Sequence, residues 1–283
     1  MRILVACEES QAVARRLREL NHEAYSCDLL PCSGGHDEYH LQVDATQLLK
    51  MHWDMVIAFP PCTHLAVSGA THFEKKREDG RQREGIELFS QFLNTKCSKV
   101  AVENPVNIIS GDYIQKWFPD LCEKYNLPRK PAQFVQPYEY GDHARKKTCF
   151  WLKGLDPLVP TNVVDPGEIT SSGHSVGASS DTARDERGKA LRWNDPRTGI
   201  IRSKTFPGIA QAIADQWAGP NRMIHMTQQK QEKLEDCLKR FEKSEKILES
   251  PPEKFDVIDF ARRNINPIIE DLKKLVTDMS PPE

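Results

Sequence analysis

The stretch "DMVIAFPPCTHLAVSG" places a cysteine, Cys62, directly after two prolines at the end of an apolar run. Each proline fixes φ and lacks an N–H donor, so Pro60 and Pro61 stop a strand and stiffen its exit. A thiol held there stands at a set place, and its thiolate is a nucleophile. A second apolar run, "KVAVENP", carries Glu103 near its end. Desolvation at the end of a buried strand raises a carboxyl pKa, so Glu103 can hold a proton and donate it to a ring nitrogen. A thiolate beside such an acid suits addition of sulfur to C6 of a pyrimidine, with a proton at N3 relieving the charge that develops. C5 then takes an electrophilic one-carbon group from a sulfonium donor.

Two further acids, Asp28 and Asp44, close the strand-like runs "EAYSCD" and "HLQVD". An acid after a second strand can accept both ribose hydroxyls of a nucleoside, and one after a third strand can accept from an adenine amino group. Acids also cap helices at such places. His64 and His72 follow the thiol and are expected to line or cover the site. Cys27, Cys32, His36 and His40 lack the ligand spacing of zinc fingers or ribbons, and "PCSGGHDEYH" reads as a loop, so no metal is expected.

Strands that deliver these side chains alternate with helices. "RILVAC" precedes a helix with Val13, Leu17 and Leu20 at helical spacing, and "WDMVIAF" and "KVAVENP" flank the amphipathic "GRQREGIELFSQFLNTK". "DYIQKWFPDLCEKYNL" reads as one helical stretch, and "AQFVQPYEYG" and "KTCFWLKG" as later strands. This rhythm predicts an α/β fold with a mostly parallel sheet covered by helices on both faces. Ligands then sit beyond the carboxyl ends of the strands, where Glu8, Asp28, Asp44, Cys62 and Glu103 fall. Residues 161–197 read as a long loop, and "SKTFPGIAQAIADQWAG" as a helix closed at Gly219. A catalytic domain over 1–219 is expected to be followed by a helical extension over 220–283. There Leu234, Leu238, Phe241 and Leu248 form one apolar stripe, and Phe255, Ile258, Ile265, Ile268, Ile269, Leu272 and Leu275 a second, suited to packing or to a homodimer through the C-terminal helices.

With 283 residues, 28% charged and a formal net charge of −2, the chain is long enough for a full core and has no global basic field. Any nucleic-acid surface is therefore a local patch. No run spans a bilayer, and "MRILVACEES" has no secretory h-region. Eight cysteines without a CxxC pair fit a reducing cytoplasm.

In order, "LVACEESQAVARRLRELNHEAYSCDLL", "VDAT", "FPPCTHLAVSG", "VENP", "YGDHARKKTCFWLKG" and "RSKTFPGIAQAIADQW" resemble the successive blocks of the DNA cytosine-5 methyltransferases, in particular their short stand-alone phage and bacterial forms. The resemblance covers about Met1 to Ala218. It implies a Rossmann-like sheet that binds S-adenosylmethionine, with cytosine-containing DNA as the partner. It makes Cys62 the nucleophile and Glu103 the acid, with Arg145 and Lys147 beside them. Cys7, Glu8, Ser10, Asp28, Leu29, Asp44, Ala45, Phe59 and Pro60 become the cofactor-binding set. Leu29 falls where a side chain packs on adenine. In the loop "ACEESQAV" itself, Glu8 or Glu9 can hold the cofactor's amino group and Ser10 can cap the helix. Ser68, Arg77, Arg81, Arg83 and Lys146 become the nucleic-acid contacts, with the loop after Cys62 closing on the base.

The chain departs from that family in three places. "ACEESQAV" has no glycine, Pro105 replaces a valine, and the segment after "KTCFWLKG" is too short for the usual target-recognition domain. The last departure keeps open a free pyrimidine nucleotide or RNA as substrate, or a non-catalytic binding protein. Methylation of an exocyclic amine is disfavoured, because Phe59 stands where that chemistry needs a polar acceptor.

Overall fold

The computed structural model describes residues 1–109, 111–168, 189, 191, 195–219, 228–249 and 257–277, and separates the chain into two compact units, Met1–Arg222 and Met223–Glu283. In the first, β1 (Arg2–Ala6), β2 (Glu23–Cys27), β3 (His40–Leu41), β4 (Met55–Ala58), β5 (Val100–Pro105), β6 (Gln133–Val135) and β7 (Thr148–Lys153) form one sheet in the order β3-β2-β1-β4-β5-β7-β6. Only β7 runs antiparallel to its neighbours. This is a Rossmann-like α/β sheet with helices on both faces. The strand order reverses between β1 and β4, where such sheets open a crevice.

The strands read as unbroken apolar runs because both faces are buried. Leu4, Val56, Val102 and Trp151 face a cluster completed by Ile86, Phe89 and Phe92 of α4 (Arg81–Leu93). Ile3, Val5, Ile57 and Phe150 face the other way, toward Val13 and Leu17 of α1 (Ala12–Glu19) and Ile209, Ile213 and Trp217 of α8 (Pro207–Ala218). Register then levels the strand exits. Ala6 pairs with both Cys27 and Ala58, and Ala58 with Val102, so Cys7, Asp28, Phe59 and Glu103 leave the sheet side by side.

The single helix expected over 112–127 is two, α5 (Asp112–Trp117) and α6 (Pro119–Tyr125), broken at Phe118 (φ −139, ψ 50). Pro119 starts the second, since it has no N–H to continue the first. The loop expected after Cys62 is largely helical: a 3₁₀ segment, Val67–His72, leads into α3 (Phe73–Glu78). Within the expected loop 161–197, residues 161–168 carry only an isolated bridge from Asn162 to Tyr140, and α7 (Pro196–Ser203) has begun by its end. The rest of that segment lies outside the described residues.

In the second unit α9 (Gln228–Glu249) packs against α11 (Asn266–Thr277), and Arg240 donates to Asp271 at 2.8 Å. Among the described side chains the buried ones are Cys237, Ser244 and Ile268, whereas Leu238, Phe241 and Leu248 of the expected stripe are exposed, and Leu234 lies outside the described side chains. A π-helical turn, Ala261–Ile265, precedes Pro267 and accommodates its missing donor. Phe255 lies outside the described residues. No helix among the described residues is long and apolar enough to cross a membrane.

Candidate active site

Cys62 is half-buried, and its carbonyl accepts from Leu65 N and Ala66 N at 2.9 Å each, closing a tight turn after the prolines. The exit of β5 fastens that turn. Asn104 Nδ2 donates to the Pro60 carbonyl at 2.8 Å, Asn107 Nδ2 donates to Asn104 Oδ1 at 2.9 Å, and Asn107 Oδ1 accepts from Ile109 N at 2.9 Å. Backbone bonds add Ile108 N to the Leu65 carbonyl at 3.0 Å and Val67 N to the Val106 carbonyl at 3.1 Å. Both asparagines are buried, so each unpaired group would carry a desolvation cost of about 1–3 kcal/mol. The prolines stiffen the loop locally, and the asparagines set its position on the sheet. Sequence reading missed both, although polar residues three apart leaving a buried strand are a usable signal.

Glu103 follows Val102 on β5 and shares a small cleft of about 20 Å³ with Phe59, Lys146, Thr148, Phe150, Lys204 and Phe206. Burial pushes its carboxyl pKa up, opposed by the Lys146 charge and a hydrogen bond with Thr148. Glu103 pairs with Phe150, so Thr148, two residues earlier on β7, shares its face, and Lys146, just before the strand, lines the same cleft. Lys146 is the cation at the acid, not Arg145 or Lys147. Lys147 lies 4.2 Å from the Phe134 ring centroid, and Arg145 is exposed. The segment 203–206 and the start of α8 close the cleft. Asp142 Oδ2 accepts from Gly208 N at 2.9 Å, and a Cβ on Gly208 would strike the Tyr140 carbonyl. The "YGDHARKK" and "TFPG" blocks therefore meet through a glycine that no other residue can replace without a backbone shift.

Across the switch point lies the other half of the rim. The β1 exit lacks glycine, yet Cys7 (φ 58) and Gln11 (φ 55) adopt left-handed backbone, at a cost to side-chain-bearing residues of about 1–2 kcal/mol each. Burial raises the Cys7 thiol pKa, and the charges of Asp28 and Asp44 raise it further, so both carboxylates lie close to it. Asp28 Oδ1 accepts from Leu30 N at 2.9 Å, and Leu29 is 71% exposed. Asp44 Oδ1 caps α2 (Ala45–Leu48), accepting from Thr46 N at 2.9 Å and Thr46 Oγ1 at 2.8 Å, while Ala45 is buried in the core.

Glu8 is not the amino-group ligand. Its buried carboxylate accepts from Val13 N at 2.7 Å and Ala14 N at 3.2 Å, which makes it the cap of α1 and leaves Ser10 out of that role. Desolvation pushes its pKa up to about 7 against those hydrogen bonds.

The three arginines expected to meet phosphate differ. Arg81 pairs with Asp79, its Nε donating at 2.9 Å, and Arg83 donates to both oxygens of Asp120 at 2.8 and 3.0 Å. Their charges are neutralised within the chain. Arg77 is instead held by neutral groups: Nη1 donates to Tyr113 Oη at 2.6 Å, and the guanidinium lies 4.1 Å from the Trp117 ring centroid. Ser68 is exposed on the 3₁₀ segment. His64 is half-buried and its pKa is lowered by desolvation and by Lys76, which favours the neutral ring, and His72 is exposed.

A larger cavity of about 630 Å³ opens at the opposite end of the sheet, between Met1, Met51, Trp53 and Lys99. It is remote from every strand exit named above, and ligands of open α/β sheets bind at the carboxyl ends. The small cleft at Glu103 lies at that carboxyl end.

No family model matches this chain. No curated protein matches it. Among solved structures it is similar to an E. coli prophage-encoded protein described as a candidate DNA modification methyltransferase, at 12% identity and a TM-score of 0.37, over 58% of this chain and 51% of that one. The chain thus spans about half the length of that protein, and a likeness at this level carries no argument about activity.

Proposed function

We propose that this protein is an S-adenosylmethionine-dependent methyltransferase acting at C5 of cytosine in DNA. The observation that carries the reading is the fastening of the Pro60–Cys62 turn to the β5 exit by Asn104, one residue beyond a carboxyl whose pKa is raised by burial. Such an arrangement holds a thiol and a proton donor on one rim. In the proposed reaction the Cys62 thiolate adds to C6 while protonated Glu103 donates to N3, so the electron pair moves to C5. Lys146 tempers the rise in the Glu103 pKa. When bound, S-adenosylmethionine supplies the electrophilic methyl group that C5 takes. Loss of the C5 proton to solvent water then expels the thiolate, and N3 returns its proton to the Glu103 carboxylate, which restores the ring. On duplex DNA the base must leave the stack, since C6 is unreachable within it.

The cofactor fits the other half of the rim. Asp28 keeps Oδ2 for ribose hydroxyls, exposed Leu29 offers an apolar surface to adenine, and Asp44 stands where it can accept from the purine amine. Phe59, at the exit of β4 between β1 and β5, lines the Glu103 cleft.

A second reading, a free pyrimidine nucleotide, is favoured by the internal pairing of Arg81 and Arg83, which removes two of the contacts expected to a phosphodiester backbone. Incubation with labelled cofactor and, separately, duplex DNA, single strands, RNA and dCMP discriminates these substrates. Label is expected at C5 of cytosine in DNA and absent with Cys62→Ser. A duplex containing 5-fluorocytosine should trap the wild-type protein covalently. Label on an exocyclic nitrogen would overturn the chemistry.

A further inference from the structure

We propose that Lys76 is a positioning residue for the nucleophile, anchoring the turn that carries Cys62 and holding a positive charge beside its sulfur. This rests on the role given to Cys62 above and names the residue that prepares it. Three cations follow one another on α3, and their surroundings differ. Lys75 is exposed and Arg77 is half-buried against Trp117, but Lys76 is only 7% exposed. It stands three residues after Phe73, so it occupies the buried face of the helix, where an apolar side chain is the usual occupant. A buried ammonium is costly unless it is paired, and among the described residues Lys76 forms no ion pair. Its Nζ donates instead to the Thr63 carbonyl at 2.7 Å, and the Phe73 ring centroid lies 6.0 Å away.

Thr63 directly follows the nucleophile, so this bond acts on the turn itself. The Cys62 carbonyl is taken by Leu65 N and Ala66 N, the Pro60 carbonyl by Asn104 and the Leu65 carbonyl by Ile108 N. Those donors are neutral. Lys76 adds a charge-assisted bond from α3, roughly twice as strong as a neutral one. A Cβ on Gly69 would lie 3.2 Å from Nζ, so the ammonium also packs against the 3₁₀ segment that the chain enters next. The charge is felt across the turn: the neutral ring of His64 is favoured first by desolvation and then by Lys76. Cys62 and His64 flank Thr63, so the same field favours thiolate over thiol. The other charges around His64 are Glu84 and Arg81, which pairs with Asp79, and Glu103 and Lys146 stand on the side of β5 and β7.

Alkylation of Cys62 by iodoacetamide, followed in the resting protein by mass spectrometry of the digested peptide, tests this without turnover. Lys76→Met keeps the length of the side chain, so the buried face of α3 stays filled. It should slow alkylation by about 5- to 10-fold at pH 7 but by no more than about 2-fold at pH 9.5, where a thiol ionises without help. Lys76→Gln, which removes the charge but keeps an N–H donor, should show the same pH dependence. Lys75→Met, the same loss of charge on the exposed face, should stay within about 2-fold of wild type at both pH values. Slowing by one factor at both pH values means a merely structural contact and overturns the proposal, as does no slowing, or equal slowing by Lys75→Met. Methyl transfer that survives Cys62→Ser overturns the reading of Cys62 instead, and leaves the alkylation result standing.

Discussion

The two halves of the sheet's carboxyl rim are built by opposite means. Where β4 and β5 leave the sheet, buried polar groups are used to hold backbone: Asn104 and Asn107 donate and accept within the fold, and Cys62 is carried on the result. Where β1 and β2 leave, the backbone is strained at Cys7 and Gln11, and buried acceptors on Glu9 and Gln11 remain open. Under the proposed function the contrast separates positioning from binding. A nucleophile needs a loop whose polar capacity is already satisfied, so that nothing competes for its geometry. A ligand-binding loop needs polar groups that only the ligand satisfies, and strained backbone persists where surroundings over-determine it.

Six substitutions break or sharpen that contrast. Glu103→Gln should have the largest effect, lowering kcat by about 10²–10⁴-fold while thermal stability changes little, because the amide relieves the desolvation of the carboxyl but gives up its attraction to Lys146. A variant with wild-type kcat removes Glu103 from the chemistry. Glu8→Gln acts through linkage. The folded-state pKa of Glu8 is about 7 against an ordinary 4.5, so the fold binds the extra proton and stability falls as pH rises through that window, by up to about 3 kcal/mol. Urea unfolding at pH 5 and pH 8 should show this loss in the wild type and a smaller one in the variant; identical pH slopes would refute it.

Asn104→Ala should cost about 1–3 kcal/mol and lower kcat as the Cys62 turn loosens, and its loss should be non-additive with Asn107→Ala. Additive losses in a double-mutant cycle would mean the two asparagines act separately. At the strained exit, Cys7→Val should destabilise by about 1–2 kcal/mol, whereas Cys7→Gly should stay within about 1 kcal/mol of the wild type, since only glycine takes φ 58 without penalty. Equal midpoints for the two variants in denaturant titration would show that strain is not what distinguishes this half.

Legibility in the sequence followed the same division. Strand and helix positions, the level of the exits and the prolines before Cys62 were readable because apolar periodicity and proline stereochemistry act locally. Glu8 was misread as a ligand because an acid at a strand exit and an acid capping the next helix look alike until the helix N–H groups are located. Lys146 was placed with the nucleic-acid contacts, whereas it lines the Glu103 cleft, because that cleft is assembled from segments as far apart as Phe59 and Lys204. Arg81 and Arg83 were assigned to phosphate without sight of Asp79 and Asp120.

What the sequence by itself determined was a set of chemical types at strand ends: a thiol, an acid and two carboxylates, delivered by a doubly wound order of elements. That much follows from neighbours within a few residues. Tertiary structure alone decided which of those groups remain open. Whether an oxygen such as Glu9 Oε1 or a cation such as Lys204 Nζ finds a partner depends on segments that approach from far along the chain, and only packing brings them within hydrogen-bonding distance.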